Sequence, residues 1–152
     1  MKTTKLFLLL PALALALALG LPGLAQPAAG VRLLEGWVRL TPPTLRSTAA
    51  YVVLSNPTGR ALRLTGGSSE VAGMVMPMTD YRETRDGVEI QGMREVRFLE
   101  IPAGGWLELR PGGKHLMLTG LKRPLREGER IALTLRFEGG ATARLTLTVQ
   151  NR

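Results

Sequence analysis

The sequence contains no cysteine and one histidine, His115. The first absence removes disulfides, thiolate metal centres and thiol nucleophiles together. The second removes multi-histidine metal centres and leaves no serine–histidine–carboxylate spacing worth defending. A blue-copper electron-transfer site, built on two histidines and a cysteinate, is excluded on both grounds. The chain is therefore not expected to be an enzyme. Also missing is any run of ten or more residues with a helical apolar stripe, and no internal repeat is present.

One long apolar run occurs, at residues 6–19, behind Lys2 and Lys5. It is too rich in alanine, and too interrupted by Pro11, to read as a membrane span, and it has the form of a secretory leader. Small residues at Gly23 and Ala25 predict cleavage after Ala25, with an uncleaved N-terminal anchor as the alternative. Residues 1–25 are thus assigned to a signal peptide and 26–30 to a short linker, with one domain over 31–152. With no cysteine to follow the leader, lipid anchoring is not expected, and a domain of this length can rest on one hydrophobic core. The implied location is periplasmic or otherwise exported. The membrane would be reached only through an uncleaved leader or through a partner.

The formal charge of +8 falls to +6 once Lys2 and Lys5 leave with the leader. Arginines such as Arg32, Arg63, Arg94, Arg136 and Arg144 recur singly within apolar alternation, the pattern of solvent-facing strand positions. They form no basic stripe, and export points the same way, so no nucleic-acid partner is expected.

What remains is short segments that alternate or run apolar, at 31–40, 49–55, 61–65, 70–76, 88–93, 96–101, 106–110, 115–119, 131–137 and 141–149. Proline or glycine punctuates them at positions such as Pro42, Pro57, Gly87, Pro102, Gly112 and Gly139. The expected fold is all-β, an antiparallel β-sandwich of immunoglobulin or cupredoxin-like Greek-key type with seven to nine strands. A monomer is expected.

Within this frame the sulfur is confined. Every methionine except the initiator lies between 74 and 117, as Met74, Met76, Met78, Met93 and Met117, and His115 lies among them. Methionine is a common filler of irregular core gaps, and Met74 and Met76 could serve that way. A general need for filler would not confine all five to one segment of a leucine-rich chain. Thioether sulfur and imidazole without thiolate suit Cu(I) better than zinc, calcium or magnesium. Residues two apart on a strand share a face, so Met74, Met76 and Met78 project together, as do His115 and Met117, while Leu116 and Leu118 turn into the core. Asp86-Gly87 is a two-residue hairpin signal that sets Met78 opposite Glu95, with Met93 one diagonal step away.

Met93, twenty-one residues and then His115-Leu116-Met117 resembles the second half of the copper motif of the PCuAC family of periplasmic copper chaperones, His-Met, ten residues, Met, twenty-one residues, His-x-Met. Flanking segments are also similar, among them Gly36-Trp37-Val38-Arg39, Ala49-Ala50-Tyr51, Ile101-Pro102-Ala103-Gly104 and Pro111-Gly112-Gly113. The first half departs. Strict spacing would put the family's His-Met pair at Tyr81-Arg82, neither of which is a Cu(I) ligand. Aligning Val71-Ala72-Gly73 with the family's similar segment instead places Met78 at the histidine position, with extra residues in the hairpin. The resemblance then implies a set of four donors, Met78, Met93, His115 and Met117, with Met76 in reserve and Met74 beyond it.

The function it implies is an exported chaperone that carries Cu(I) to an acceptor protein, an oxidase subunit such as that bearing the CuA site of cytochrome c oxidase. Protonation of the imidazole would remove a donor, so Cu(I) retention is expected to weaken in acid. The alternatives are a metal-free paralogue acting as a protein-binding sandwich and a Cu(I) buffering protein.

Overall fold

The computed structural model describes residues 29–152. The expected signal peptide, 1–25, and residues 26–28 of the linker lie outside the described residues. Among the described residues, 29–152, no helix occurs; the domain is built from ten strands. These are β1 (Arg32–Arg39), β2 (Ser47–Ser55), β3 (Leu62–Ser69), β4 (Ala72–Arg85), β5 (Val88–Glu95), β6 (Leu99–Ile101), β7 (Trp106–Glu108), β8 (Lys114–Leu121), β9 (Arg130–Phe137) and β10 (Thr142–Gln150). The count exceeds the expected seven to nine because two strands, β6 and β7, are only three residues long.

Hydrogen bonding links the strands in the order β5-β4-β8-β2-β1-β10-β9-β3-β6, with β7 on β2, and a further β3–β4 pairing closes the path on itself. Every pairing is antiparallel except β1 with β10. The all-β sandwich of the sequence reading therefore holds, with one parallel pair that alternation cannot reveal. Along β9 the residues Ile131, Leu133, Leu135 and Phe137 are buried, and along β8 Leu116 and Leu118. Period-two patterning of this kind turns one face of each strand inward. Val38, Leu54, Leu64, Ile101 and Val149 complete a single apolar core without disulfides.

Two features bear on the outer face. Strand β4 is longer than alternation suggests, because its second half is polar and leaves the core as one arm of a two-stranded ribbon with β5. Glu70 and Val71, expected in strand, form the turn before it. At the tip of the ribbon Asp86 and Gly87 take φ of 52° and 77°, the paired positive values a type I′ turn requires.

Candidate metal centre

The site is assembled by register. Across β4 and β8, Met76 pairs with Met117 and Met78 with His115, while Met74 pairs with Thr119. Directly opposed residues on one face have Cβ atoms about 5 Å apart, so the thioethers of one strand meet the imidazole and thioether of the other. The hairpin keeps the register expected from Asp86-Gly87, with Arg85 opposite Val88 and Met78 opposite Glu95. Met93 falls opposite Asp80, one step beyond Met78. Leu116 and Leu118 point the other way and are fully buried.

A cavity of about 310 Å³ opens on this face. His115, Met117, Met93, Asp80 and Tyr51 are among its lining residues, as is Leu45 from the loop after β1. Met78 and Met76 are half-buried beside the ring and Met117 respectively, Met93 is 53% exposed at the mouth, and Met74 at 56% is the most open. The structure therefore gathers Met78, Met93, His115 and Met117 on one side of the sheet, puts Met76 next to Met117 and leaves Met74 at the margin.

His115 is held from behind. Pro111 and Gly112, the latter at φ 80°, have the signature of a type II turn, closed by the Gly113 N–H to the Arg110 carbonyl at 3.1 Å. That turn brings the Gly113 carbonyl 3.2 Å from His115 Nδ1. A carbonyl can only accept, so Nδ1 carries the proton and the Nε2 lone pair is left for a metal. Tyr51 tilts against the ring at 6.3 Å between centroids, and Trp37 follows Tyr51 at 4.8 Å. Arg39 lies 5.2 Å over the Tyr51 ring. Burial pushes the Tyr51 phenol above its ordinary value; the Arg39 cation opposes this and Asp80 adds to it.

Sequence reasoning missed Asp80. Its Oδ1 lies 3.6 Å from His115 Nδ1 and is buried with no hydrogen-bond partner. The only signal would have been its position two residues past Met78, on the same face of the same strand. No cluster of three or more His, Cys, Asp or Glu side chains occurs among the described residues. The chemistry available is thus soft sulfur, one imidazole and one carboxylate, all on one face of β4, β5 and β8.

Comparison with known proteins agrees with this architecture. Residues 31–149 match the LpqE-like lipoprotein family. The chain belongs to that family. A protein of Leifsonia xyli subsp. xyli named as a lipoprotein, Lxx21020, is 35% identical over 138 residues, spanning 88% of this chain and 80% of its own length. Among solved structures, Cu(I)-DR1885 from Deinococcus radiodurans is 35% identical with a TM-score of 0.61, covering 86% of this LpqE-like chain and 83% of its own. The copper-bound PCuAC domain of PmoF2 superposes at a TM-score of 0.65, over 82% of this chain and 96% of its own, and at 18% identity shows the shared fold. The LpqE-like domain is thus of PCuAC type, as the resemblance of Met93, His115 and Met117 to that family's motif implied.

Proposed function

We propose that this protein is an exported Cu(I) chaperone that holds its cargo with Met78, Met93, His115 and Met117 and passes it to a copper-acceptor protein. The observation that carries the reading is the register, which sets His115 opposite Met78 and Met117 opposite Met76 beside a cavity that Met93 also lines. The Deinococcus radiodurans relative supports it, since that protein has a Cu(I)-bound state. Names of relatives as lipoproteins, with the leader-like residues 6–19, support export.

The donors account for both halves of a carrier's task. Three thioethers and one imidazole match the soft preference of Cu(I) and disfavour harder ions. All are neutral, so no thiolate has to be protonated for the ion to leave. His115 is 3% exposed and fixed, whereas Met93 at the mouth is half-exposed on a ribbon outside the core. An incoming ligand from an acceptor would displace Met93 first, with His115 last to release the ion. The acceptor in this proposal is an oxidase subunit, the CuA site of cytochrome c oxidase being a centre that needs copper supplied.

A second reading has one observation in its favour. Met93, Met74 and Leu45 are each about half-exposed. Such an apolar fringe would suit a metal-free protein-binding sandwich, because methionine-rich surfaces adapt to partners. A Cu(I) buffer would share the site and differ only in failing to transfer.

The test is an anaerobic Cu(I) titration of the folded domain against a chromophoric chelator, wild type beside the Met93→Leu, Met117→Leu double variant. The expected result is tight one-to-one binding that the double variant loses while its thermal unfolding stays cooperative. No binding by folded wild type would hand the argument to the protein-binding reading, and binding without transfer to any apo acceptor would leave the buffer.

A further inference from the structure

Asp80, a part-exposed side chain, carries the one buried side-chain oxygen or nitrogen among the described residues that has no hydrogen-bond partner. Its backbone is well used: the N–H donates to the Gly113 carbonyl at 3.0 Å, and the carbonyl accepts from the Thr79 hydroxyl at 3.3 Å. Its carboxylate is not. Oδ1 is buried and has no hydrogen-bond partner, and the His115 ring is the only cationic or potentially cationic group within 4 Å of it among the described residues. A carboxylate oxygen shielded from water with nothing donating to it opposes folding, so an unmet contact at this point needs a reason.

The surroundings supply one. The Gly113 carbonyl already accepts from Asp80 N–H and from His115 Nδ1, which uses both of its lone pairs. Asp80 Oδ1, at 3.6 Å, lies beyond hydrogen-bond reach of Nδ1 and acts on the ring through its charge. Carboxylates behind a metal-bound imidazole raise ligand basicity. The charge sum points the same way. Met78, Met93, Met117 and a neutral His115 bring no charge to Cu(I), which would leave a net positive ion in a site whose imidazole is 3% exposed. Asp80 lines the same cavity and offsets that charge, and Arg39, which also lines it and lies over the Tyr51 ring, adds a second positive group for Asp80 to balance.

We propose, resting on the chaperone reading above, that Asp80 is the counter-charge of the Cu(I) site, acting through its charge on the His115 ring and offsetting the charge of the cargo. The ion and the carboxylate then satisfy each other: the apo protein leaves Oδ1 without a donor, and loading places a positive charge beside it.

This predicts effects of opposite sign on folding and on binding. In Asp80→Asn, nearly the same in shape, Cu(I) affinity measured by anaerobic chelator competition should fall by roughly 10- to 100-fold, the range for loss of a partner behind a metal-bound imidazole. The melting temperature of the apo variant should hold or rise, since the charged oxygen that lacked a donor is gone. Asp80→Glu, which keeps the charge, should recover part of the affinity. The reduction potential of the bound copper should rise in Asp80→Asn, because a nearby anion favours the more oxidised ion. A carboxylate with a merely structural part would lower melting temperature and affinity together and leave the potential alone; that pattern would overturn the inference, as would wild-type affinity in Asp80→Asn. Failure of folded wild type to bind Cu(I) at all would instead bring down the chaperone reading, and this inference with it.

Discussion

Asn56, fully buried, and Asp80, part-exposed with one buried oxygen, are treated in opposite ways. Asn56 is 0% exposed, and its amide donates to the carbonyls of Arg60, Ile101 and Pro102 while its oxygen accepts from the backbone N–H and hydroxyl of Thr58. Nothing is left over. It ties the loop after β2 to the end of β6, and every hydrogen bond it can make stays within the chain. Asp80 sits beside His115 with an oxygen that nothing in the chain satisfies. A polar group whose capacity is filled by its own chain belongs to the fold; one whose capacity stays open calls for another explanation, such as strain, water, an ion or a functional role. The Asn56 end is closed for stability, and the Asp80 end is kept open for a visitor.

The contrast can be broken most forcefully at Asn56. Asn56→Ala removes the amide donor from the carbonyls of Arg60, Ile101 and Pro102, the Ile101 bond being fully buried, and should cost about 3 kcal/mol, read as a large drop in denaturant midpoint. Cu(I) affinity of the fraction that remains folded should be unchanged. If copper binding fell in step with stability, the two ends would not be independent.

A smaller effect is expected at the ribbon tip. Gly87 has φ 77° with open space around its Cα, so Gly87→Val meets no clash and suffers only the conformational penalty, on the order of 1 kcal/mol. The ribbon lies outside the core, so that penalty should appear as local fraying in hydrogen exchange of 80–93 and as weaker Cu(I) binding through Met93, with little change in the global midpoint. A loss of the whole fold would show that the ribbon is part of the core after all.

The smallest effect belongs to Glu129, a carboxylate that is satisfied at the surface. It accepts from the Arg126 N–H at 3.0 Å and pairs with Arg123, and the Arg123 guanidinium is the main reason its carboxyl lies below the usual range. A depressed folded-state pKa stabilises the fold at neutral pH, and that contribution disappears as pH falls through the folded value. Half of the Arg123 side chain is in solvent, so Glu129→Gln should remove less than about 1 kcal/mol at neutral pH and slightly flatten the acid side of the stability profile. A steep new acid sensitivity would contradict this ranking.

Much of the arrangement could be read from the residues, for identifiable reasons. Strand positions followed from period-two burial, which Ile131, Leu133, Leu135 and Phe137 write without ambiguity. The Met78–Met93 relation followed from Asp86-Gly87, because a two-residue turn leaves one register open. Most of what stayed hidden depends on pairings distant in sequence. The parallel β1–β10 contact leaves no local trace, whereas the β3–β4 closure is a local hairpin whose Glu70-Val71 turn lacks the glycine, asparagine or proline that marks a turn. Asp80 was invisible for a related reason. It lies in a charged stretch, Thr79-Asp80-Tyr81-Arg82-Glu83, that reads as solvated ribbon, and only the β4–β8 pairing, joining segments more than thirty residues apart, brings it under His115.

The type I′ turn between β4 and β5 also changes what a counted motif means. With a two-residue turn, adding one residue to each arm lengthens the ribbon and leaves Met78 facing the same partner, with Met93 on the same face. Adding one residue to a single arm turns every side chain beyond it over. The invariant of this half of the site is therefore parity rather than length, and a fixed number of residues before Met93 is the wrong ruler for it. A search for such sites that scores whether two sulfur donors fall on one face of a hairpin would accept this chain, where a search that counts residues would pass it by.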